Sequence, residues 1–380
     1  MKNIIVIGVG RMGSVHAENL YKGRVKGARL TGIQDVSAEA LKRFTAKYPV
    51  PAFTDLNECV EETKPDGAVI ATPHYFHVPI ATSLLERGIA VLTEKPEAAE
   101  IKEALRLNET AAAHPDTLFG IMYNQRTSPV YMKAKELVSS GALGKLKRVS
   151  MTITDWYRSQ NYYDMGGWRA SWSGEGGGVM INQCVHQLDI LQWLVGTPLS
   201  IEAHADTAGR NITVENEMYC YMEYPDGLKG TFTASAHELK GTNVLEISGD
   251  KGKIVAGKYS MKFYSFEPSE CEVNRTAKKG YGSAKVRKKR YFYGLKRLIA
   301  DAIYGQQLNV LRAFAAALNG TGELVAAGEE GARALEFINA AYISAYTGEK
   351  VTFPVDPDRY SRTLSEFKEK EKEGGKVFVR

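Results

Sequence analysis

The stretch Asn3-Ile4-Ile5-Val6-Ile7-Gly8-Val9-Gly10-Arg11-Met12-Gly13 decides the fold. Residues 4–7 are all β-branched and read as a buried strand. The glycines that follow have the spacing GxGxxG, and each has its own task. The first makes a tight turn, the second lets backbone approach a pyrophosphate, and the third packs helix closely on strand. Residues 12–21 then read as a helix, whose N-terminus offers unpaired N–H groups and a positive dipole end to phosphates. A bare β–α turn would also use glycines, but strand, motif and helix in this order predict a dinucleotide site. Gly8, Gly10, Arg11 and Met12 are its expected contacts.

Outward from this point, short apolar runs at 30–33, 68–71, 90–92 and 118–122 alternate with helical stretches at 38–48, 79–87 and 101–113. Such βα alternation predicts a doubly wound parallel sheet, a Rossmann domain over residues 1–125. The second strand ends in Gln34-Asp35. An acid here accepts from the adenosine ribose hydroxyls and repels a 2′-phosphate, so NAD is expected over NADP.

Beyond residue 125 the texture changes. A linking helix at 130–139 leads to alternating segments at 146–157, 200–207, 217–224, 230–237, 243–248 and 258–266. They predict an open, mostly antiparallel sheet in an α+β domain over residues 126–355. One helix is expected at 179–194 and two more at 306–319 and 329–346, followed by an exposed helical tail over 356–380.

The chain has 380 residues, 44% of them hydrophobic and 24% charged, with a net charge of +5, too mild to argue for nucleic acid. Cys59, Cys184, Cys220 and Cys271 are far apart and show no metal-ligand spacing, so neither a disulfide framework nor a metal site is expected. The start lacks the pattern of a secretory signal and no run approaches ~20 apolar residues, which predicts a cytoplasmic protein.

Ligands of an open parallel sheet bind beyond the carboxyl ends of the strands. Ala71-Thr72-Pro73 with His77 and Thr93-Glu94-Lys95-Pro96 stand at such ends. Thr72, Pro73, His77, Glu94 and Lys95 are therefore candidate cofactor contacts, and Lys95 a candidate catalytic and substrate-binding group; Asn124 is a further candidate cofactor contact. In the second domain Gly174-Glu175-Gly176-Gly177-Gly178 leads into a helical stretch where Asn182, His186 and Asp189 would share one face. Flanked by apolar residues, they form a half-buried polar stripe, with His186 as acid/base, Asn182 as a second candidate catalytic residue, and both as candidate substrate contacts. The segment 156–172 is rich in rings and cations, and Tyr157, Trp168 and Arg169 are candidate substrate contacts. Strand packing would account equally well for part of that segment.

These residues together resemble the Gfo/Idh/MocA oxidoreductases: GxGxMG with His16, Asp35, Glu94-Lys95-Pro96, and a glycine run leading to His186 and Asp189. The resemblance covers residues 1–265 and 306–355. It implies a Rossmann domain, a sheet domain whose open face supports dimers or tetramers, and NAD(P)-dependent redox chemistry on polyols and pyranoses. By position it makes Lys95 the active-site lysine and His186 the catalytic histidine. Asn182 stands where the family commonly has aspartate; an amide orients a ring or holds a hydroxyl but cannot raise a histidine pKa by charge. Asn124-Gln125-Arg126 and the 156–172 segment resemble an inositol dehydrogenase-like subgroup.

Residues 267–305 depart from the pattern, with nine cations from Lys278 to Arg297 interleaved with Tyr281, Tyr291, Phe292 and Tyr293. They read as a solvated excursion or subunit contact rather than a polyanion site. The function expected is a reversible dehydrogenase acting on a secondary ring hydroxyl of a sugar, glycoside or cyclitol, in a homo-oligomer. Two alternatives are a lyase or glycosidase-like enzyme that oxidises transiently on bound NAD, and a non-catalytic NAD-binding regulator.

Overall fold

The computed structural model describes residues 1–278, 280–294 and 305–378, which divide into two units. Residues 1–127 and 305–335 form one; residues 128–294 and 336–378 form the other.

The first unit is built on six parallel strands, β1 (Lys2–Ile7), β2 (Ala28–Gln34), β3 (Ala52–Phe53), β4 (Gly67–Ile70), β5 (Ala90–Thr93) and β6 (Phe119–Ile121). Their order is β3-β2-β1-β4-β5-β6. The order reverses between β1 and β4, the place where ligands bind in doubly wound sheets. Helices α1 (Arg11–Tyr21), α2 (Ala38–Thr45), α3 (Leu56–Thr63), α4 (His77–Glu86) and α5 (Ile101–Ala113) follow the first five strands in turn. Ile4, Ile5, Val6 and Ile7 are buried, as befits a strand covered on both faces.

The helix Gly305–Leu318 was expected in the second domain but packs in the first unit. Its Leu308, Val310, Leu311, Phe314 and Ala315 share a core with Ile4, Val6, Ala17, Leu20 and Leu41. Gly67 leaves room for it: a Cβ there would stand 3.2 Å from the Phe314 ring. Chain order alone carries no such information.

The second unit carries nine strands, β7 (Leu146–Ile153), β8 (Ser200–Asp206), β9 (Glu217–Glu223), β10 (Lys229–Ser235), β11 (Asn243–Gly249), β12 (Gly252–Gly257), β13 (Ser260–Glu267), β14 (Lys285–Phe292) and β15 (Val351–Thr352). Their order is β14-β13-β12-β11-β7-β10-β9-β8-β15. Only β7 and β10 run parallel; the other pairs are antiparallel. On β9, Met218, Cys220 and Met222 are buried while Tyr219 and Tyr221 are exposed, the alternation of a sheet with one solvated face.

Two expectations need correction here. The basic segment is not merely an excursion: Lys285–Phe292 pairs with β13 from Ser260↔Phe292 to Glu267↔Lys285 and closes one end of the sheet. Lys279, Lys296 and Arg297 lie outside the described residues. Nor is the C-terminal helix Pro357–Lys372 an exposed tail. Its Tyr360, Leu364 and Phe367 are buried, with the Phe367 ring 4.5 Å from that of Trp172. Among the described residues no helix is long and apolar enough to cross a membrane.

Candidate active site

In the first unit, the turn after β1 shows why its glycines are there. Gly8 has φ +82°, and a Cβ on it would stand 2.8 Å from the Ala71 carbonyl oxygen. A Cβ on Gly13 would meet the Gly8 carbonyl oxygen at 1.7 Å, so α1 lies against β1 only because position 13 lacks a side chain. Gly10 faces open space, with nothing within 4 Å of a Cβ built there. No side chain caps α1, so the N–H groups of its first turn remain for an incoming acceptor. Arg11 is exposed and Met12 half-buried at this helix start.

Asp35 stands just beyond β2. One carboxylate oxygen accepts the Val9 N–H at 2.8 Å and the other the Ser37 N–H at 2.9 Å. The acid therefore sits against the glycine turn, where its charge meets whatever occupies that turn. Ser37, not Asp35, caps α2 through the Ala40 N–H.

The ends of β4, β5 and β6 carry Thr72, Lys95 and Asn124. From Ile89 to Ala99 every residue is buried except Lys95. Lys95 itself is half-buried. Next to it, Glu94 meets the buried His16 Nε2 at 2.7 Å, a contact holding α1 to the loop after β5. His77, expected to touch the cofactor, is buried, with Nδ1 2.7 Å from the Pro96 carbonyl and Nε2 2.8 Å from that of Thr72. It ties the loops after β4 and β5 together, and burial pushes its pKa down. Pro73 is half-buried in the first of those loops.

Beyond β4 and β6, Thr72 Oγ1 and Asn124 Oδ1 are buried polar atoms with no hydrogen-bond partner among the described residues. Asn124 Nδ2 donates to Gln306 Oε1 at 3.3 Å, a partner that sequence reading missed because it lies 182 positions away. Buried polar atoms left unmatched at strand ends, an open glycine and an uncapped helix fit a dinucleotide.

In the second unit the expected single helix at 179–194 is two, α6 (Val179–Asn182) and α7 (Val185–Val195). At the break the Gln183 and Cys184 N–H groups both reach the Val179 carbonyl, and a new ladder starts from Cys184. Asn182 and His186 therefore do not share a face of one regular helix, and Asp189 is buried. What unites Asn182 and His186 is that both are half-buried. From Glu175 to Gln192 they alone are not buried.

Two buried carboxylates, neither assigned from sequence, hold this segment. Glu215 accepts the Gly178 and Met180 N–H groups, both at 2.9 Å, and the Tyr342 hydroxyl at 2.9 Å. Burial pushes it up to about 7 against the pull of those donors. Glu175 accepts the Asn182 side-chain N–H on one oxygen and the Ala170 backbone N–H, at 2.8 Å, on the other. Ala170 has φ +52°, a strained value that this bond helps to hold. Glu175 thus orients the Asn182 amide and fastens it to the turn carrying Trp168 and Arg169. Its place inside a glycine run was visible in the sequence, but its bonding was not.

The ring-rich segment divides between core and surface. Trp172 is wholly buried; its indole N–H donates to the Thr213 carbonyl, and its backbone N–H to Glu371. Tyr157 is exposed, while Trp168 and Arg169 are half-buried, the guanidinium 4.7 Å from the Trp168 ring centre. Among the described residues no group of three His, Cys, Asp or Glu could hold a metal ion.

Comparison with known proteins agrees with this architecture. Residues 2–121 match the oxidoreductase family, NAD-binding Rossmann fold, and residues 131–255 match the GFO/IDH/MocA C-terminal domain. The inositol 2-dehydrogenase of Rubrobacter xylanophilus is 28% identical over 190 residues, 50% of this chain and 51% of that protein. The scyllo-inositol 2-dehydrogenase (NAD(+)) of Bacillus subtilis is 24% identical over 66% of this chain and 72% of that protein. The chain therefore spans about half the length of the first of these relatives. Among solved structures, the WlbA dehydrogenase of Chromobacterium violaceum, in complex with NADH and UDP-GlcNAcA, superimposes with a TM-score of 0.77. It is 24% identical and covers 93% of this chain and 96% of its own, a likeness of fold. Both units match one family in the order the fold requires, and the chain belongs to the Gfo/Idh/MocA oxidoreductases, with NAD bound by its Rossmann unit.

Proposed function

We propose that this protein is an NAD-dependent dehydrogenase that oxidises a secondary ring hydroxyl of a sugar, glycoside or cyclitol to a ketone, reversibly. The observation that carries the reading is the exposure pattern. In two long buried runs, the only residues not buried are Lys95 in one and Asn182 and His186 in the other. A buried segment that lets out only hydrogen-bonding groups able to move or hold a proton is built for chemistry rather than for packing. Relatives named inositol 2-dehydrogenase support the substrate class.

Gly8, Gly10, Arg11 and Met12 would hold the pyrophosphate, Asp35 the adenosine ribose, and Thr72 and Asn124 the far end of the dinucleotide. Asp35 favours NAD over NADP, because a 2′-phosphate would meet its carboxylate. When bound, NAD supplies the acceptor for the carbon-bound hydrogen as hydride. His186 takes the hydroxyl proton as general base. The Lys95 ammonium would stabilise negative charge developing on a substrate oxygen, a contribution of about 3 kcal/mol. Asn182, its amide fixed by Glu175, places the substrate hydroxyl. A homo-oligomer formed through the exposed sheet face and a cytoplasmic location complete the proposal.

The test is NADH formation with excess NAD and a panel of inositols, pyranoses and aryl glycosides, with products weighed by mass spectrometry. Loss of two hydrogens from a panel member, matched by NADH, supports the reading. Release of an aglycone without NADH contradicts it.

A further inference from the structure

The ring-rich segment of the second unit holds more positive charge than its own acids meet. The Arg158 guanidinium stands 5.5 Å from the Trp156 ring centre and 4.7 Å from that of Tyr162. Arg169 approaches the same Tyr162 ring at 6.0 Å and the Trp168 ring at 4.7 Å. Arg210 lies 5.4 Å from the Tyr157 ring, and its Nε–H donates to the Arg158 carbonyl at 2.9 Å. Among the described residues none of these three guanidiniums meets a carboxylate; the polar contacts of Arg158 and Arg210 are backbone carbonyls. Asp164, the acid within the segment, accepts from Gln160.

Two buried donors there also lack an acceptor among the described residues, the indole N–H of Trp156 and Nε–H of Arg158. Leaving such donors unmatched costs free energy, and Arg158 and Arg169 approaching one Tyr162 ring adds repulsion. A guanidinium stacked by its face on a ring keeps its N–H edge for a planar or tetrahedral oxyanion, which it binds by two parallel hydrogen bonds. The segment is joined to the proposed chemistry: Ala170, next to Arg169, shares Glu175 with Asn182.

We propose that Arg158, Arg169 and Arg210, with the Trp156 indole N–H, form an anion subsite, and that the substrate is a sugar or cyclitol bearing an acidic group, carboxylate or phosphate. This rests on the reading of Asn182 and His186 as the groups that meet the ring hydroxyl.

The test compares three hexoses on the NAD-loaded full chain by titration calorimetry: glucose, glucuronate and glucose 6-phosphate. At least one acid should bind at least about tenfold more tightly than glucose, and the difference should shrink as sodium chloride is added. Which acid wins separates the carboxylate from the phosphate. Arg158→Gln combined with Arg169→Gln should abolish the preference. The salt titration on the unaltered protein decides the matter if that variant fails to fold. Equal affinity for all three sugars, or a preference indifferent to salt, overturns the subsite. Acid binding that depends on the arginines without NADH from any panel compound keeps the subsite and removes the dehydrogenase reading. NADH from a neutral cyclitol with no preference for acids does the reverse.

Discussion

Glu97 shows how far a single residue can depart from what its type suggests. It follows Lys95 and Pro96, is wholly buried, and has no hydrogen-bond partner for either carboxylate oxygen among the described residues. Burial, and then the charge of Glu329, hold its pKa well above the usual carboxylate value. The Ala332 N–H pulls the other way without reaching hydrogen-bond geometry. A carboxyl whose folded pKa is raised contributes stability that is fully present below its unfolded pKa and is lost as pH rises through the folded value. Glu215 acts with the same sign, between about 4.5 and about 7. Glu97→Gln should therefore gain stability over the parent as pH rises above the usual carboxylate range, and match it in acid. Denaturant titrations at several pH values check this; parallel pH profiles for the two proteins would contradict it.

A second residue-scale prediction concerns Glu175 and Asn182. Asn182→Asp alone would set a second carboxylate against the buried Glu175, and Glu175→Gln alone would turn an amide N–H toward the Asn182 amide. Each should lower the unfolding midpoint. The double variant restores one carboxylate and one amide and should recover most of the loss, a coupling that a double-mutant cycle reads. Simple additivity would show that the pair does not act together. Lys95, Asn182 and His186 could be singled out in the sequence as candidates, because their types and positions after strands and glycines are chemical facts. Glu175, Glu215 and Gln306 were not, because their roles depend on partners that only folding supplies.

At the scale of elements, the glycine turn separates packing from binding. Gly13→Ala would place a Cβ 1.7 Å from the Gly8 carbonyl oxygen, so α1 must move, at a cost of about 1–3 kcal/mol or more. Gly10→Ala has open space and should fold normally but bind NAD more weakly, because the methyl group occupies the approach of the pyrophosphate. Melting curves and NAD titrations on both proteins give the check; equal melting losses in both would refute the division of labour. The parallel strands were legible through β-branched runs and the longer helices through their spacing. The two-residue β3 was too short to show. The β12 strand begins at Gly252, which reads as part of a turn, and β14 has no apolar alternation because seven of its eight residues are exposed. The break at 183–184 was hidden because the apolar pattern continues through it.

At the scale of the molecule, the C-terminal helix is part of the second unit. Glu371 accepts the backbone N–H groups of Trp172 and Ser173 and the Thr213 hydroxyl, each within 3 Å. Removing residues 357–380 would unpair those groups and uncover Trp172 in the segment that carries Trp168 and Arg169. Truncation should lower the unfolding midpoint and shift the tryptophan fluorescence to the red; unchanged spectra would contradict the packing. The family and the two kinds of sheet could be read from motifs and periodicity. The assignment of residues 305–335 to the first unit could not, because it rests on contacts far apart in sequence.

The most direct test of the central claim is NADH absorbance on mixing the protein with NAD and the panel of ring polyols, for the parent and for Lys95→Ala and His186→Ala. The account predicts NADH from at least one compound, with its ketone as product, and a rate lower by ~100-fold in either variant while NAD still binds. Near-normal rates in both variants, or product formed without net reduction of NAD, would contradict it.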